Sequence, residues 1–89
     1  MADIAKRFKK RTELEHVLLD MFPNRKPDGG MYLFHNDFTE EGYGSNPQTP
    51  LALFYVRTPD GDQHVGTWNK KTRKGWIFQR AYDLLEDPA

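Results

Sequence analysis

The sequence predicts an α+β fold: an N-terminal helix, a three-stranded antiparallel sheet built on a PDG hairpin, and a C-terminal helix, in the order α-β-β-β-α. Three observations carry that prediction. Apolar residues between 14 and 21 recur at helical spacing, two strand-like runs flank "PDG" at 59–61, and helical spacing returns after Gly75.

Leu14, Val17, Leu18 and Met21 fall at i, i+3, i+4 and i+7, with Phe22 on the same stripe. Ile4 and Phe8 lie at the stripe's edge, so one reading is a single helix over 3–22. Thr12 and Glu15 also form a capping-box pattern, which starts the helix at 13 and leaves 1–11 as a basic arm. Pro23 ends the helix in both readings, because its ring removes a donor and restricts the residue before it. The turn formers of "PNRKPDGG" (23–30) make a loop, and "MYLFHN" (31–36) reads as a strand with Tyr32 and Phe34 on one face. Residues 37–50 show no periodicity and read as a long loop, a length that suits mobility or function.

The hairpin "LALFYVRTPDGDQHVGTWN" is the clearest local signal. Pro59 presets the first turn position, Asp60 suits the second, and Gly61 takes a left-handed position that makes a bulge. That geometry pairs Thr58 with Asp62, Val56 with His64, Tyr55 with Val65, Phe54 with Gly66 and Ala52 with Trp68. One face then carries Ala52, Phe54, Val56, His64 and Trp68, and the other Leu51, Leu53, Tyr55 and Val65. Both faces are partly apolar, so either both are covered or one serves a partner. Ile77, Ala81, Leu84 and Leu85 predict a helix over about 76–86. An alternative makes "GWIFQ" a fourth strand across a "NKKTRK" turn, followed by a shorter helix.

A chain of 89 residues, without repeats or linkers, reads as a single domain. Cysteine is absent, which excludes disulfides, thiolate metal sites and a thiol nucleophile. The longest apolar runs fall far short of a membrane span, and the N-terminus has no signal-like stretch, so a soluble cytoplasmic protein is expected. Only 37% of the residues are hydrophobic, but they include six Phe, four Tyr and two Trp, so the core leans on rings.

Formal net charge is zero, but the cations are bunched. Five of the thirteen lie in "KRFKKR" (6–11) and four in "KKTRK" (70–74), the latter between Trp68 and Trp76. Cations interleaved with aromatics suit phosphate contact plus base stacking, whereas the bland alternative is a solvated turn between two core rings. Lys6, Lys9 and Lys10 would project from the polar side of a helix, or lie along nucleic acid as an arm.

The remaining clusters carry less chemistry. His35 with Asp37, Asp60 and Asp62 with His64, and His16 with Asp20 match no ligand signature, so no metal is expected. Ser45 is the only serine, no base is fixed beside it, and Glu40 and Glu41 are adjacent, so no catalysis is expected either. "DFTEEGYG" sets Asp37, Glu40 and Glu41 around Phe38 and Tyr43, a pattern able to grip a basic protein surface.

These features predict a small non-enzymatic binding or regulatory protein with no cofactor. It would engage nucleic acid, or a nucleic-acid-handling protein, through Lys70, Lys71, Arg73, Lys74 and Trp76, with Lys6, Arg7, Lys9 and Lys10 as a second set. The alternative is a pure protein-interaction module or phage-type inhibitor using Asp37, Phe38, Glu40, Glu41, Tyr43 and an exposed sheet face.

Overall fold

One five-stranded antiparallel sheet organises the molecule. The computed structural model describes residues 3–24, 31–40 and 49–86, in the order β1 (Ile4–Phe8), α1 (Arg11–Met21), β2 (Tyr32–Glu40), β3 (Thr49–Thr58), β4 (Gly61–Asn69), β5 (Lys74–Phe78) and α2 (Gln79–Glu86). Across the sheet the strands run β1-β5-β4-β3-β2. The class is α+β as expected, but the three-stranded sheet is corrected to five strands.

Of the two extra strands, one comes from non-local pairing and the other from a local hairpin. Residues 4–8, expected as helix or arm, pair with β5, about seventy positions downstream, through Phe8↔Gly75 and Arg7↔Trp76. Nothing near residue 8 in the sequence announces that partner. β5 pairs on its other side with β4, so "KGWIF" is a strand and the last helix starts at Gln79 instead of 76. This is the fourth-strand alternative for "GWIFQ".

α1 starts at Arg11, not at 3 or 13. Lys10 occupies the N-cap position with extended backbone and no side-chain cap bond, so the Thr12 capping box does not form. The stripe itself is as expected. Leu14, Leu18 and Phe22 are buried in one cluster with Phe8, Ala52, Phe54, Val56, Val65, Trp68, Ile77 and Ala81. Val17 and Met21 from α1, and Tyr82 and Leu84 from α2, pack against that cluster, which places both helices on the same side of the sheet. Gly75 permits the close approach of α1. A Cβ there would lie 2.6 Å from Trp68 Cε3 and from the Thr67 carbonyl, and 3.0 Å from Leu14 Cδ2.

β2 runs to Glu40 and β3 begins at Thr49, so the strand expected over 31–36 is longer and the loop expected over 37–50 is shorter. Pairing is continuous from Tyr32↔Arg57 to Glu40↔Thr49. Side chains of residues 35–39 are exposed. Alternating polarity reports burial rather than pairing, which is why this half of the strand gave no signal.

The PDG turn forms, with Gly61 at φ 119°. Its register is corrected by one residue near the turn: Thr58↔Gly61, Arg57↔Asp62, Val56↔Gln63 and Tyr55↔His64. A bulge between the Tyr55 and Phe54 pairings restores the expected Phe54↔Gly66 and Ala52↔Trp68. The consequence is an exchange of sides. His64 lies against Tyr55, and Val65 joins the core, the reverse of the predicted faces. The extra residue of a bulge re-aims its neighbours in this way.

Candidate nucleic-acid interface

The two basic runs meet in space. An open cleft of about 520 Å³ is lined by Lys9, Lys10, Arg11 and Thr12 from the start of α1, and by Trp68, Lys70 and Arg73 from the end of β4 and its turn. The β1–β5 pairing creates this junction, because Phe8↔Gly75 brings the chain before α1 beside the chain after β4.

The turn between β4 and β5 is built tightly. Asn69 Oδ1 accepts from the Lys71 and Thr72 amides at 2.9 and 3.0 Å, and the Arg73 amide donates to the Asn69 carbonyl at 2.9 Å. Arg73 closes it at φ 58°, a left-handed conformation that costs a non-glycine residue roughly 1 kcal/mol. Such strain persists where the surroundings impose it.

Two of the five cleft cations are neutralised at home. Arg11 Nε donates to Glu15 at 2.8 Å, and Lys70 Nζ donates to Asp37 at 2.8 Å. The hydrogen bond and charge of Lys70 hold the Asp37 carboxyl below its ordinary value. Among the described residues, Lys9, Lys10 and Arg73 form no ion pair. The uncapped end of α1 adds the partial positive charge of its free amides, with Glu13 the acid in that first turn.

A second cleft, of about 420 Å³, lies at the Phe8–Gly75 end of the β1–β5 pair, lined by Arg7, Phe8, Lys9, Thr72, Lys74, Gly75 and Trp76. Lys9 belongs to both clefts. The predicted basic residues therefore divide three ways. Lys9, Lys10, Lys70 and Arg73 gather in the first cleft, while Arg7, Lys74 and Trp76 join Lys9 in the second. Lys71 lines neither and is exposed at the turn, and Lys6 lies 5.3 Å from the Phe8 ring centroid.

The two tryptophans have different fates. Trp68 is buried in the core at 6% exposure, whereas Trp76 is half-buried and its Nε1 is buried without a hydrogen-bond partner. Of the acidic-aromatic set, Asp37 and Phe38 lie in β2, with Asp37 tied to Lys70 and Phe38 51% exposed. Glu40 ends β2, its side chain lying outside the described residues together with Glu41 and Tyr43. Among the described residues, no group of three or more His, Asp or Glu side chains is placed to hold a metal.

Sequence reasoning missed the rings on the side of the sheet away from the helices. Tyr32 and Phe34 (centroids 5.9 Å apart), Phe34 and Tyr55 (5.6 Å), Tyr55 and His64 (5.1 Å) and His64 and Phe78 (4.9 Å) form a continuous aromatic band. Arg57 covers one end, 5.6 Å from the Tyr32 centroid and 5.0 Å from that of Phe34, and pairs with Asp62 at 2.8 Å. His64 is half-buried within the band, its Nε2 2.9 Å from Thr67 Oγ1, and burial pushes its pKa below the ordinary value. The alternation of Tyr32 and Phe34 was the available signal, but the bulge that turns His64 toward them was not legible.

No family model matches the chain, and neither a curated protein nor a solved structure is significantly similar to it. Among the described residues, no helix is long and apolar enough to cross a membrane.

Proposed function

We propose that the protein is a non-enzymatic binding protein whose ligand is the phosphate backbone of nucleic acid. One observation carries this reading. Lys9, Lys10 and Arg11, and Lys70 and Arg73, about sixty positions apart in the sequence, line the same cleft. Five cations against two carboxylate partners leave an excess of three positive charges there. The uncapped α1 N-terminus adds donors that suit an anion. A solvated surface would carry its cations dispersed among acids, and a cleft focuses their field.

Fluorescence anisotropy with a labelled oligonucleotide tests the proposal. The three cations without a partner, Lys9, Lys10 and Arg73, predict a fall in affinity of about 20–40-fold between 50 and 200 mM salt. Joint charge reversal (Lys9→Glu, Lys10→Glu, Arg73→Glu) removes binding and flattens the salt slope, whereas Lys71→Glu, outside both clefts, has a small effect. Absence of binding at low salt, or equal damage from Lys71→Glu, overturns the reading. Arg73→Gly gives an independent check. It relieves the left-handed backbone, so stability holds or rises by up to ~1 kcal/mol while affinity falls.

A further inference from the structure

We propose that the open face of the sheet is a stacking platform for unpaired bases, so that the nucleic acid taken up at the clefts is single-stranded. This rests on the phosphate reading of the clefts and adds to it the form of the ligand.

The platform is laid across four strands. Phe78 of β5, His64 of β4, Tyr55 of β3 and Phe34 of β2 follow one another at centroid separations of 4.9, 5.1 and 5.6 Å. All four are only half-buried. None belongs to the core cluster or packs against it, and both helices lie on the other side. Phe34, Tyr55 and His64 are near-parallel (18° and 29°) and Phe78 meets His64 at 71°, so the row presents a rigid, half-exposed apolar surface against which bases can pack at little cost in ordering.

Charge decides between occupants. Arg7 pairs with Trp76 in register, Lys74 lies two residues from it on β5, and Arg57 lies over the Tyr32 and Phe34 rings. Asp62 neutralises Arg57, so the excess positive charge beside the rings is that of Arg7 and Lys74. A second copy docked face to face would bring like charges together, because such an interface presents the same patch twice. A polyanion gains from the same arrangement. Duplex is the poorer match, since its bases are already stacked on one another and offer only groove edges.

Continuity supplies the path. Trp76 and Lys74 line the second cleft, and Lys9 joins that cleft to the first. A backbone seated on the cations at the 70–73 turn can therefore place its bases over Trp76 and onward along the band. Arg57 ends the track with a guanidinium, a group that stacks on bases as aromatic rings do.

The test compares three probes of equal length, about 12 nucleotides: an oligothymidylate, an abasic strand with the same phosphates, and a duplex. Tryptophan emission is the second readout, since Trp68 is in the core and Trp76 on the open side. The oligothymidylate is expected to quench emission, an effect lost in Trp76→Phe, and to bind at least tenfold more tightly than the abasic strand. Tyr55→Leu and Phe78→Leu keep apolar volume but remove a ring. Each lowers oligothymidylate affinity about fivefold or more and leaves abasic binding unchanged, with the variant still cooperatively folded. Equal binding of oligothymidylate and abasic strand, with steep salt dependence, overturns the platform and leaves the phosphate reading standing. Preference for duplex also overturns the platform, as does a concentration-dependent dimer dispersed by Tyr55→Arg. Failure of all three probes to bind overturns both.

Discussion

The two sides of this sheet use aromatic residues in opposite ways. On the helix side, Phe8, Phe22, Phe54 and Trp68 are buried among Leu14, Leu18, Val56, Val65 and Ile77, and nearly all the burial that stabilises the domain is there. On the other side Tyr32, Phe34, Tyr55 and Phe78 are half-exposed and meet one another, His64 or Arg57, and Trp76 is half-exposed as well. The lesson is that ring content alone does not locate a core. Most of the described rings are shared between a packed layer and a surface band.

The largest contrast between the sides should appear in truncations. Leu18→Ala removes a fully buried side chain facing the sheet and should cost about 2–5 kcal/mol, lowering the melting temperature by at least about 8 °C. Tyr55→Leu on the open side should cost no more than about 1 kcal/mol, the scale of one cross-strand pair. Comparable losses from the two variants in a calorimetric scan would break the comparison.

Gly75→Ala probes the closeness of helix packing. Its Cβ would meet Trp68 Cε3 and backbone oxygen at 2.6 Å, so overpacking of about 1–3 kcal/mol is expected. Chemical denaturation would measure it, and a neutral result would mean that α1 sits less tightly than described.

The open side should respond to pH where the core does not. Burial lowers the folded pKa of His64 below 6.5, so the unfolded chain binds this proton first as pH falls. The stability associated with neutral His64 is complete above pH 6.5 and is lost as pH falls from 6.5 to the lowered folded value. Unfolding midpoints at pH 7.5 and just below 6.5 would register the loss, and His64→Gln should flatten it.

The smallest expected effect concerns the Lys70–Asp37 pair. Asp37→Asn should leave the melting temperature unchanged, because exposed ion pairs contribute little. The same variant frees Lys70 and should raise affinity for a polyanionic probe and steepen its salt dependence. Unchanged affinity would remove Lys70 from the phosphate track.

Local periodicity carried the parts of the fold that local physics decides. The Leu14–Met21 stripe, the PDG turn with its left-handed Gly61, the apolar half of β3 and the helical spacing from Ala81 onward were all readable from residue order. So was the bunching of cations in two runs. Register and partnership were not. Residues 4–8 carry no mark of their pairing with 75–78, and the exposed half of β2 has no alternation to read. His64 and Val65 changed faces because the pairing between the turn and the Phe54/Tyr55 bulge is one residue off the expected register, and a shift of one residue moves a side chain to the other face.

The candidate site divides along the same line. Residue order alone determined that the chain holds two cationic segments, abundant rings, no cysteine and the local makings of an α+β domain. Only the tertiary structure decided that Lys9 and Lys10 face Arg73 across one cleft, that Trp68 is core while Trp76 is not, and that the rings form a band. The physical reason is range. Helix and turn preferences act over three or four residues, whereas these juxtapositions depend on strand pairing across about seventy, which is set by how the whole chain buries its apolar surface.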